Sequence, residues 1–251
     1  MSQVVEVQLR WDYTPKNYIE EPIQIEGEGY QLSISEGVAL AQIALSTYER
    51  NSGIQEDLTS LIENRLHAVQ LMAYGNFTLS RPSRSDLRED GRKTTYLELE
   101  LTSTSTASTD IKFTDRDGDV FDSKQDRLNK QVWFAKMLDK YRSDDTLNQM
   151  LKSRKAAASE LNNELARLYE IKEALKSKSN KARKKLSIGR KEWSRLGCLA
   201  NEAPLQQGRH RGKMTGKLRD ATETELRDAR KIARSMIEAY LNYLESNSTK
   251  S

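Results

Sequence analysis

Cysteine, histidine, proline and long apolar runs are all scarce in this chain of 251 residues. It contains one cysteine, two histidines and four prolines. A single cysteine excludes an internal disulfide framework, and with it a zinc or redox site built on paired cysteines. The longest mainly apolar stretch, residues 37–45, is far shorter than the roughly 20 residues that span a bilayer. The amino terminus lacks a basic segment followed by an apolar one, so no signal peptide is predicted. We therefore expect a soluble, cytoplasmic protein with no membrane partner.

Apolar side chains are also few. Hydrophobic residues make up 36% of the chain and charged residues 31%, against about 45–50% (glycine included) and about 25% in typical domains. A chain of this length can still bury a core, since roughly 70–75% of its unfolded surface is removed from water on folding. The composition predicts an elongated, helix-rich shape with much exposed surface.

The charge is distributed unevenly along the chain. Residues 1–120 contain 11 Lys and Arg against 20 Asp and Glu, whereas residues 121–251 contain 30 against 17. Within the second part, residues 181–220 hold 12 basic and 3 acidic side chains. Such asymmetry indicates two regions with different tasks and a polyanion as partner of the second. The alternative is that the acidic part neutralises the basic part, within one chain or between copies.

Residues 1–120 are predicted to form an acidic domain of mixed α and β structure. Apolar and polar side chains alternate over residues 5–11, which is the period of a half-buried strand. Two further strands are expected on either side of residues 26–29, where glycines suit a tight hairpin turn. Apolar residues spaced three and four apart predict helices over residues 37–50 and 55–73.

Residues 121–246 are predicted to form a basic helical domain, followed by a disordered tail at 247–251. One long helix is expected from an N-cap at Asp144 or Asp145 to about Lys185. Its apolar residues recur at spacings of three and four, or sums of them, in a coiled-coil-like seam formed by Leu147, Leu151, Ala158, Leu161, Leu165, Leu168 and Leu175.

The fold class predicted from these patterns is α+β. Antiparallel strands lie in the N-terminal region, and a helical bundle or antiparallel coiled-coil hairpin forms the C-terminal region. The last helix is predicted to begin at a capping box, Thr222–Glu225.

Basic side chains concentrate in residues 172–191, where nine Lys and Arg accompany one acidic residue, Glu173. On a helix these charges cover more than one face, whereas a solubilising face usually mixes both signs. Neutralised phosphates release condensed counterions, so binding to a nucleic acid would weaken steeply with salt. The alternative is a solvated coiled-coil surface. The residues predicted to contact phosphate are Lys181, Arg183, Lys184, Lys185, Arg190 and Lys191.

A glycine-rich basic loop follows at residues 206–213, with the sequence Gln-Gln-Gly-Arg-His-Arg-Gly-Lys. Its glycines let the backbone approach a ligand closely, and the loop precedes a helix whose positive end favours anions. Its cations would contact phosphate, and its histidine would hydrogen-bond to a phosphate or a base. The alternative is a flexible basic linker. The residues assigned to this contact are Arg209, His210, Arg211 and Lys213.

A third pattern would fit an enzyme. Strands predicted at residues 96–102 and 111–115 would pair antiparallel and collect two or three carboxylates and a lysine on one face. Carboxylates this close can hold Mg²⁺, and a lysine beside them can position or activate water for phosphodiester cleavage. The pattern resembles the acid…(D/E)xK motif of restriction-type nucleases over about fifteen residues, without the Pro-Asp dipeptide that opens that motif. Salt pairs between strands on a solvent face are the alternative. The residues are Glu98, Glu100, Asp110 and Lys112.

Together these patterns predict a non-enzymatic, cofactor-free subunit of an intracellular assembly that binds DNA or RNA. No zinc finger, basic leucine zipper, RNA-recognition motif or glycine-rich nucleotide-binding motif occurs, so contact is expected mainly with the sugar-phosphate backbone. The helical seam is expected to bind a protein partner or a second copy. The first alternative is a protein–protein adaptor or structural coiled-coil subunit whose basic region meets an acidic protein surface. The second is the metal-dependent nuclease, which alone would need Mg²⁺.

Overall fold

The chain folds into two compact units, Met1–Ala135 and Lys136–Ser251. The structure is a computed structural model that describes residues 3–96, 112–114, 120–178, 181–209 and 217–248. The first unit is built mainly on an antiparallel sheet and the second on helices, which confirms the predicted α+β class. The division between the units falls within a helix, Ser123–Lys140.

The N-terminal unit contains strands, two helices inserted between them, and most of a third helix that continues into the second unit. The strands are β1 (Val4–Thr14), β2 (Ile23–Gly27), β3 (Tyr30–Ser35), β4 (Val38–Ala44), β5 (Thr78–Leu79), β6 (Ser83–Arg88), β7 (Lys93–Tyr96), β8 (Lys112–Thr114) and β9 (Val120–Asp122). The helices are α1 (Leu45–Arg50), α2 (Ile54–Ala73) and α3 (Ser123–Lys140).

A single sheet organises the core of this unit. Its strand order is β2-β3-β4-β1-β6-β7, every neighbouring pair is antiparallel, and β5 adds to β1. The alternation predicted for β1 places Val7, Leu9 and Trp11 in the interior, where α2 covers them with its apolar face. The Trp11 indole donates to the hydroxyl of Thr59 at 3.0 Å, so the one polar atom of this buried ring is satisfied.

The hairpin between β2 and β3 is confirmed, and Gly29 takes the positive φ of +76° that its turn requires. The helix predicted over residues 37–50 is wrong for most of its length, because residues Val38–Ala44 form β4 and only α1 is helical. Ala39 and Ala41 are fully buried in alternation, and β4 hydrogen-bonds to β3 on one side and β1 on the other. Two ladders of backbone hydrogen bonds outweigh the weak helical preference of so short a segment.

The C-terminal unit consists of five α-helices and two short segments of other helical types among the described residues. The α-helices are α4 (Asp145–Ser159), α5 (Glu164–Lys178), α6 (Ala182–Lys185), α7 (Arg190–Gly197) and α8 (Glu223–Ser248). A 3₁₀ turn, Leu161–Asn163, separates α4 from α5, and a π-helical turn, Cys198–Glu202, continues α7.

The single helix predicted from Asp144 to Lys185 is wrong. The N-cap is confirmed, since the Asp144 carboxylate accepts a 2.8 Å hydrogen bond from Leu147 N–H. The helix nevertheless ends at Ser159, and α5 folds back onto α4 as a helical hairpin, with Ser153 donating to Glu170 at 3.0 Å. Leu161 lies in the break and is 61% exposed, so the continuous leucine seam does not form.

The start of α8 confirms the predicted capping box. Glu225 N–H donates to the Thr222 hydroxyl at 3.2 Å, and Thr222 N–H donates to the Glu225 carboxylate at 2.8 Å. The helix continues to Ser248, two residues into the segment predicted as a tail, and residues 249–251 lie outside the described part. Within the described ranges, no helix combines the length and the apolar character needed to cross a bilayer.

Candidate nucleic-acid interface

The predicted basic helix is interrupted: Lys172, Lys176 and Lys178 lie in α5, whereas residues 182–191 form α6, a turn and the start of α7. After α6 the chain makes a Schellman motif, in which Ile188 N–H donates to Arg183 C=O at 3.0 Å and Ser187 N–H donates to Lys184 C=O at 3.2 Å. Ser187 occupies the left-handed position that usually carries glycine, with φ of +52°. The motif ends α6 and sends the chain directly into α7.

Two apolar anchors and one arginine hold this turn in place. Leu186 and Ile188 are buried, so the residues between the helices are pinned to the unit. The guanidinium of Arg183 donates to Ile188 C=O at 3.3 Å. Arg183 therefore closes the turn, although the sequence predicts it as a phosphate contact.

Four cations flank the turn without a partner of opposite charge. Lys184 and Lys185 end α6, Arg190 and Lys191 begin α7, and all four are exposed. None of their side chains forms an ion pair or hydrogen bond with another described residue. We call these four residues the basic turn. Lys181 is also exposed, at the N-cap of α6, so five of the six predicted contacts are accessible.

The glycine-rich loop has a tightly held stem. Gln206 N–H donates to Arg219 C=O at 2.9 Å, and Arg219 N–H donates to Pro204 C=O at 3.0 Å. The side chain of Gln207 links the same two segments, because its amide oxygen accepts a hydrogen bond from Ala221 N–H at 3.0 Å. Gly208 is buried, and a Cβ there would lie 3.1 Å from Ala200 C=O. Glycine at position 208 therefore allows the loop backbone to pack closely against the Ala200 carbonyl.

Arg209 is the one predicted contact of the loop that the structure describes. Its guanidinium forms an ion pair with Glu173 at 2.7 Å and lies 4.9 Å from the centroid of the Tyr169 ring. Arg209 is thus already engaged with α5. His210, Arg211 and Lys213 lie outside the described residues, so their contact with phosphate stays a prediction.

Beside the basic turn lies an open cavity of about 820 Å³. Its walls come from α5, α7, the π-helical turn and α8. The side chains that matter chemically are Lys172, Lys191, Trp193, Asn201, Glu202 and Lys231. Lys191 belongs to both features, so the basic turn continues into the cavity wall.

Lys172 is a buried cation on this wall, with only 5% of its surface exposed. Its ammonium donates to Trp193 C=O at 2.6 Å and lies about 5 Å from the ring centroids of both Tyr169 (5.2 Å) and Trp193 (5.1 Å). Gly197 leaves room for it, since a Cβ there would lie 2.8 Å from Nζ. Burial, helped by the charge of Lys176, lowers the pKa of Lys172 from its usual 10.5 despite the attraction of Glu202.

Asn201 contributes a polar atom that the described part of the chain leaves without a partner. Its side-chain oxygen is shielded from solvent and accepts no hydrogen bond there. Buried polar atoms of this kind are rare, because an unmade hydrogen bond costs about 1–3 kcal/mol. The oxygen lies in the π-helical turn, a type of irregularity that is frequent at functional sites.

Sequence reasoning misses this cavity. It groups Lys172 with the exposed basic residues, although α5 buries it against α7. The period of apolar residues carries no signal for a π-helical turn, and the cavity walls come from four segments that only the tertiary fold brings together. The one available signal is the Trp193 side chain amid basic residues, an aromatic and cationic mixture found in sites for single-stranded nucleic acids.

The nuclease pattern receives no structural support among the described residues. Glu98, Glu100 and Asp110 lie outside them. Lys112 begins β8, whose partner in the described part is β9, with Lys112 opposite Asp122. No group of three or more potential metal-ligating side chains occurs within the described ranges.

Since comparison with known proteins finds no match, the function is inferred from the chemistry of these residues. No protein-family model, no curated protein and no solved structure matches this chain.

Proposed function

We propose that the C-terminal unit binds the phosphate backbone of DNA or RNA through the basic turn. The observation that carries this proposal is the set of four exposed cations, Lys184, Lys185, Arg190 and Lys191, that have no partner of opposite charge among the described residues. Two of them lie in the first turn of α7, where the positive end of the helix disfavours cations and favours a bound anion.

The rest of the unit provides the contrast that makes this set significant. Several of its other arginines, among them Arg167, Arg195, Arg219 and Arg230, are paired with carboxylates, whereas the basic turn brings four cations without such a partner close together in sequence. A surface that served only solubility would mix both signs in the same way. The basic turn departs from that rule, and a polyanion is the partner that satisfies several adjacent cations together.

The turn also has the rigidity that a binding surface needs. The Schellman hydrogen bonds and the two buried anchors hold its backbone, so little conformational entropy of the main chain is lost on binding. The loop at residues 206–213 would add its cations to the same ligand, with Arg209 exchanging Glu173 for phosphate. Arg183 is left out of the contact set because it closes the turn.

We further propose that the protein acts without catalysing a reaction, as part of a larger intracellular assembly in the cytoplasm. The single free thiol of Cys198 suits a reducing compartment. The low apolar content and the exposed Leu161 favour a protein partner or self-association in addition to the nucleic acid.

The test is a fluorescence-anisotropy titration of labelled DNA and RNA, each single-stranded and double-stranded, across a salt series. We expect affinity to fall steeply with salt, and replacement of all four basic-turn residues by Gln to reduce the slope of log K against log salt by about 3. The matched control is the quadruple variant Lys93→Gln, Lys136→Gln, Lys152→Gln, Arg227→Gln, which removes the same charge from exposed sites elsewhere. Its slope should stay close to that of the native protein.

The same titration separates the alternatives. Absence of binding to all four ligands at low salt would overturn the proposal and favour an adaptor whose basic turn meets an acidic protein surface. Equal losses in the two quadruple variants would show that net charge, and not the basic turn, drives association. Loss of labelled substrate only when Mg²⁺ is added would favour the nuclease.

A further inference from the structure

Binding of phosphates by the basic turn gives no role to the cavity beside it. We propose that it holds one unpaired base of a single-stranded nucleic acid whose backbone lies on the basic turn. This inference rests on the proposed function and adds to it a preference for single strands. The base would lie between α5, α7, the π-helical turn and α8.

The position of the cavity supports this assignment. Lys191 lies on the basic turn and also on the cavity wall, so a phosphate bound there brings the attached nucleotide to the cavity mouth. Lys231 contributes a second exposed cation to the same wall. A volume of about 820 Å³ lies within the range of ligand sites, roughly 300–1,000 Å³.

The aromatic wall supplies what a base needs for stacking. Trp193 is half-buried and lines the cavity, and its backbone is tied to α5 by the Lys172 ammonium at 2.6 Å. The Lys172 ammonium also lies 5.1 Å from the centroid of the indole ring, so backbone and ring are both restrained and the indole is a stacking platform that loses little freedom on binding. Base stacking tolerates different sequences because every base presents a π-face.

The polar groups fit a base edge better than a simple anion. A phosphate or sulfate ion accepts hydrogen bonds and would leave the orphaned oxygen of Asn201 without a donor. A base edge carries both kinds of group: its amino or imino N–H can donate to Asn201 after a rotation of the amide, and its carbonyl or ring nitrogen can accept from Lys172. Lys172 has spare N–H donors, because its ammonium makes one hydrogen bond to the described residues.

The carboxylates at the cavity strengthen this distinction. Glu192 and Glu202 are exposed on its wall and would repel a free phosphate or sulfate ion, but either can accept from the amino group of a base. A base in a duplex is paired and stacked, so it would have to be unstacked before entering, at a cost of a few kcal/mol. The site should therefore select single strands.

The decisive comparison uses two labelled 12-nucleotide strands with the same backbone, one of mixed sequence and one in which every base is absent. Both strands are DNA or both are RNA, whichever the protein binds more tightly in the salt titration. We expect the native protein to bind the mixed strand roughly 5- to 150-fold more tightly than the abasic strand, as one stacked base provides. Trp193→Ala should lower the affinity for the mixed strand to the abasic level and leave the abasic affinity unchanged.

Matched variants guard against a merely structural effect. Trp133→Ala is the control, since Trp133 is also half-buried and also contacted by a lysine, with Lys130 Nζ 4.4 Å from its ring, but belongs to the N-terminal unit. It should keep the full preference for the mixed strand. Trp193→Phe retains an aromatic plane and should restore most of the preference that Trp193→Ala removes. Asn201→Leu should reduce the preference while raising the melting temperature, because it removes an unsatisfied buried oxygen.

The outcomes distinguish this inference from the function on which it rests. If the native protein binds both strands equally, and both respond to the Gln variant of the basic turn, the backbone proposal stands and the base site is wrong. If neither strand binds at low salt, both fail. If Trp193→Ala weakens both strands equally, the indole acts through folding and the base site is wrong.

Discussion

The ammonium of Lys172 donates a 2.6 Å hydrogen bond to the backbone carbonyl of Trp193. This contact joins α5 to α7 at the wall of the cavity. It also places a buried positive charge where the chain offers it only one hydrogen-bond acceptor among the described residues. Such a charge is costly to bury, and its cost depends on pH.

Replacement of Lys172 by Met should change how stability depends on pH. The pKa of Lys172 is lowered from 10.5, chiefly by burial, so between the folded pKa and pH 10.5 the unfolded chain binds more protons than the folded one. Stability of the native protein should therefore rise with pH in that interval relative to Lys172→Met. Urea unfolding of both proteins at pH 7 and pH 10 measures the difference, with the exposed Lys152→Met as control. A difference that does not change with pH would contradict the burial of the charge.

Replacement of Ser187 by Gly should stabilise the C-terminal unit. Ser187 adopts φ of +52° in the Schellman motif, a conformation that disfavours residues with a Cβ. We expect the free energy of unfolding to rise by up to about 1 kcal/mol, the relief of strain being offset in part by the greater entropy of glycine in the unfolded chain. The control is Ser194→Gly within α7, which should lower it by about 0.5 kcal/mol. Destabilisation by both substitutions would show that the turn is not formed.

Two leucines of the predicted seam should respond very differently to truncation. Leu165 is fully buried in α5, whereas Leu161 is 61% exposed in the break before it. Leu165→Ala should therefore cost about 2–5 kcal/mol of unfolding free energy, and Leu161→Ala less than about 0.5 kcal/mol. Thermal unfolding at two protein concentrations adds a second readout. A large, concentration-dependent loss of stability in Leu161→Ala would contradict this expectation and show that a second copy of the chain covers Leu161.

Acid should weaken the start of α8. Hydrogen bonds from Arg219, joined by those from Thr222, lower the pKa of Glu225 to about 2 from 4.5 in spite of its partial burial. A carboxylate with a lowered pKa contributes stability above pH 4.5 that is lost as pH falls from 4.5 to about 2. Glu225→Gln should remove that contribution and flatten the stability profile over this interval. A Glu225→Gln protein whose stability falls with acid as steeply as that of the native protein would contradict this assignment.

Local patterns determined those elements whose stabilising contacts are close in sequence. The alternation in β1, the glycines of the first hairpin, the apolar face of α2, the Asp144 cap and the Thr222–Glu225 box all follow from residues within a few positions of one another. The charge asymmetry also follows from sequence alone, and the accessible basic turn lies within the segment that it marks. These predictions succeed because the physics that decides them is local.

Tertiary contacts decided the rest. Residues Val38–Ala44 form a strand because two neighbouring strands supply hydrogen-bond ladders that no helical period reveals. The helix expected to continue to Lys185 breaks after Ser159 because α5 buries its apolar face by folding back onto α4. The cavity exists only because α5, α7, the π-helical turn and α8 meet in space, which puts Lys172, Trp193 and Asn201 on one wall. Sequence determined which charges this protein carries, whereas packing decided which of them are buried and which remain free to bind.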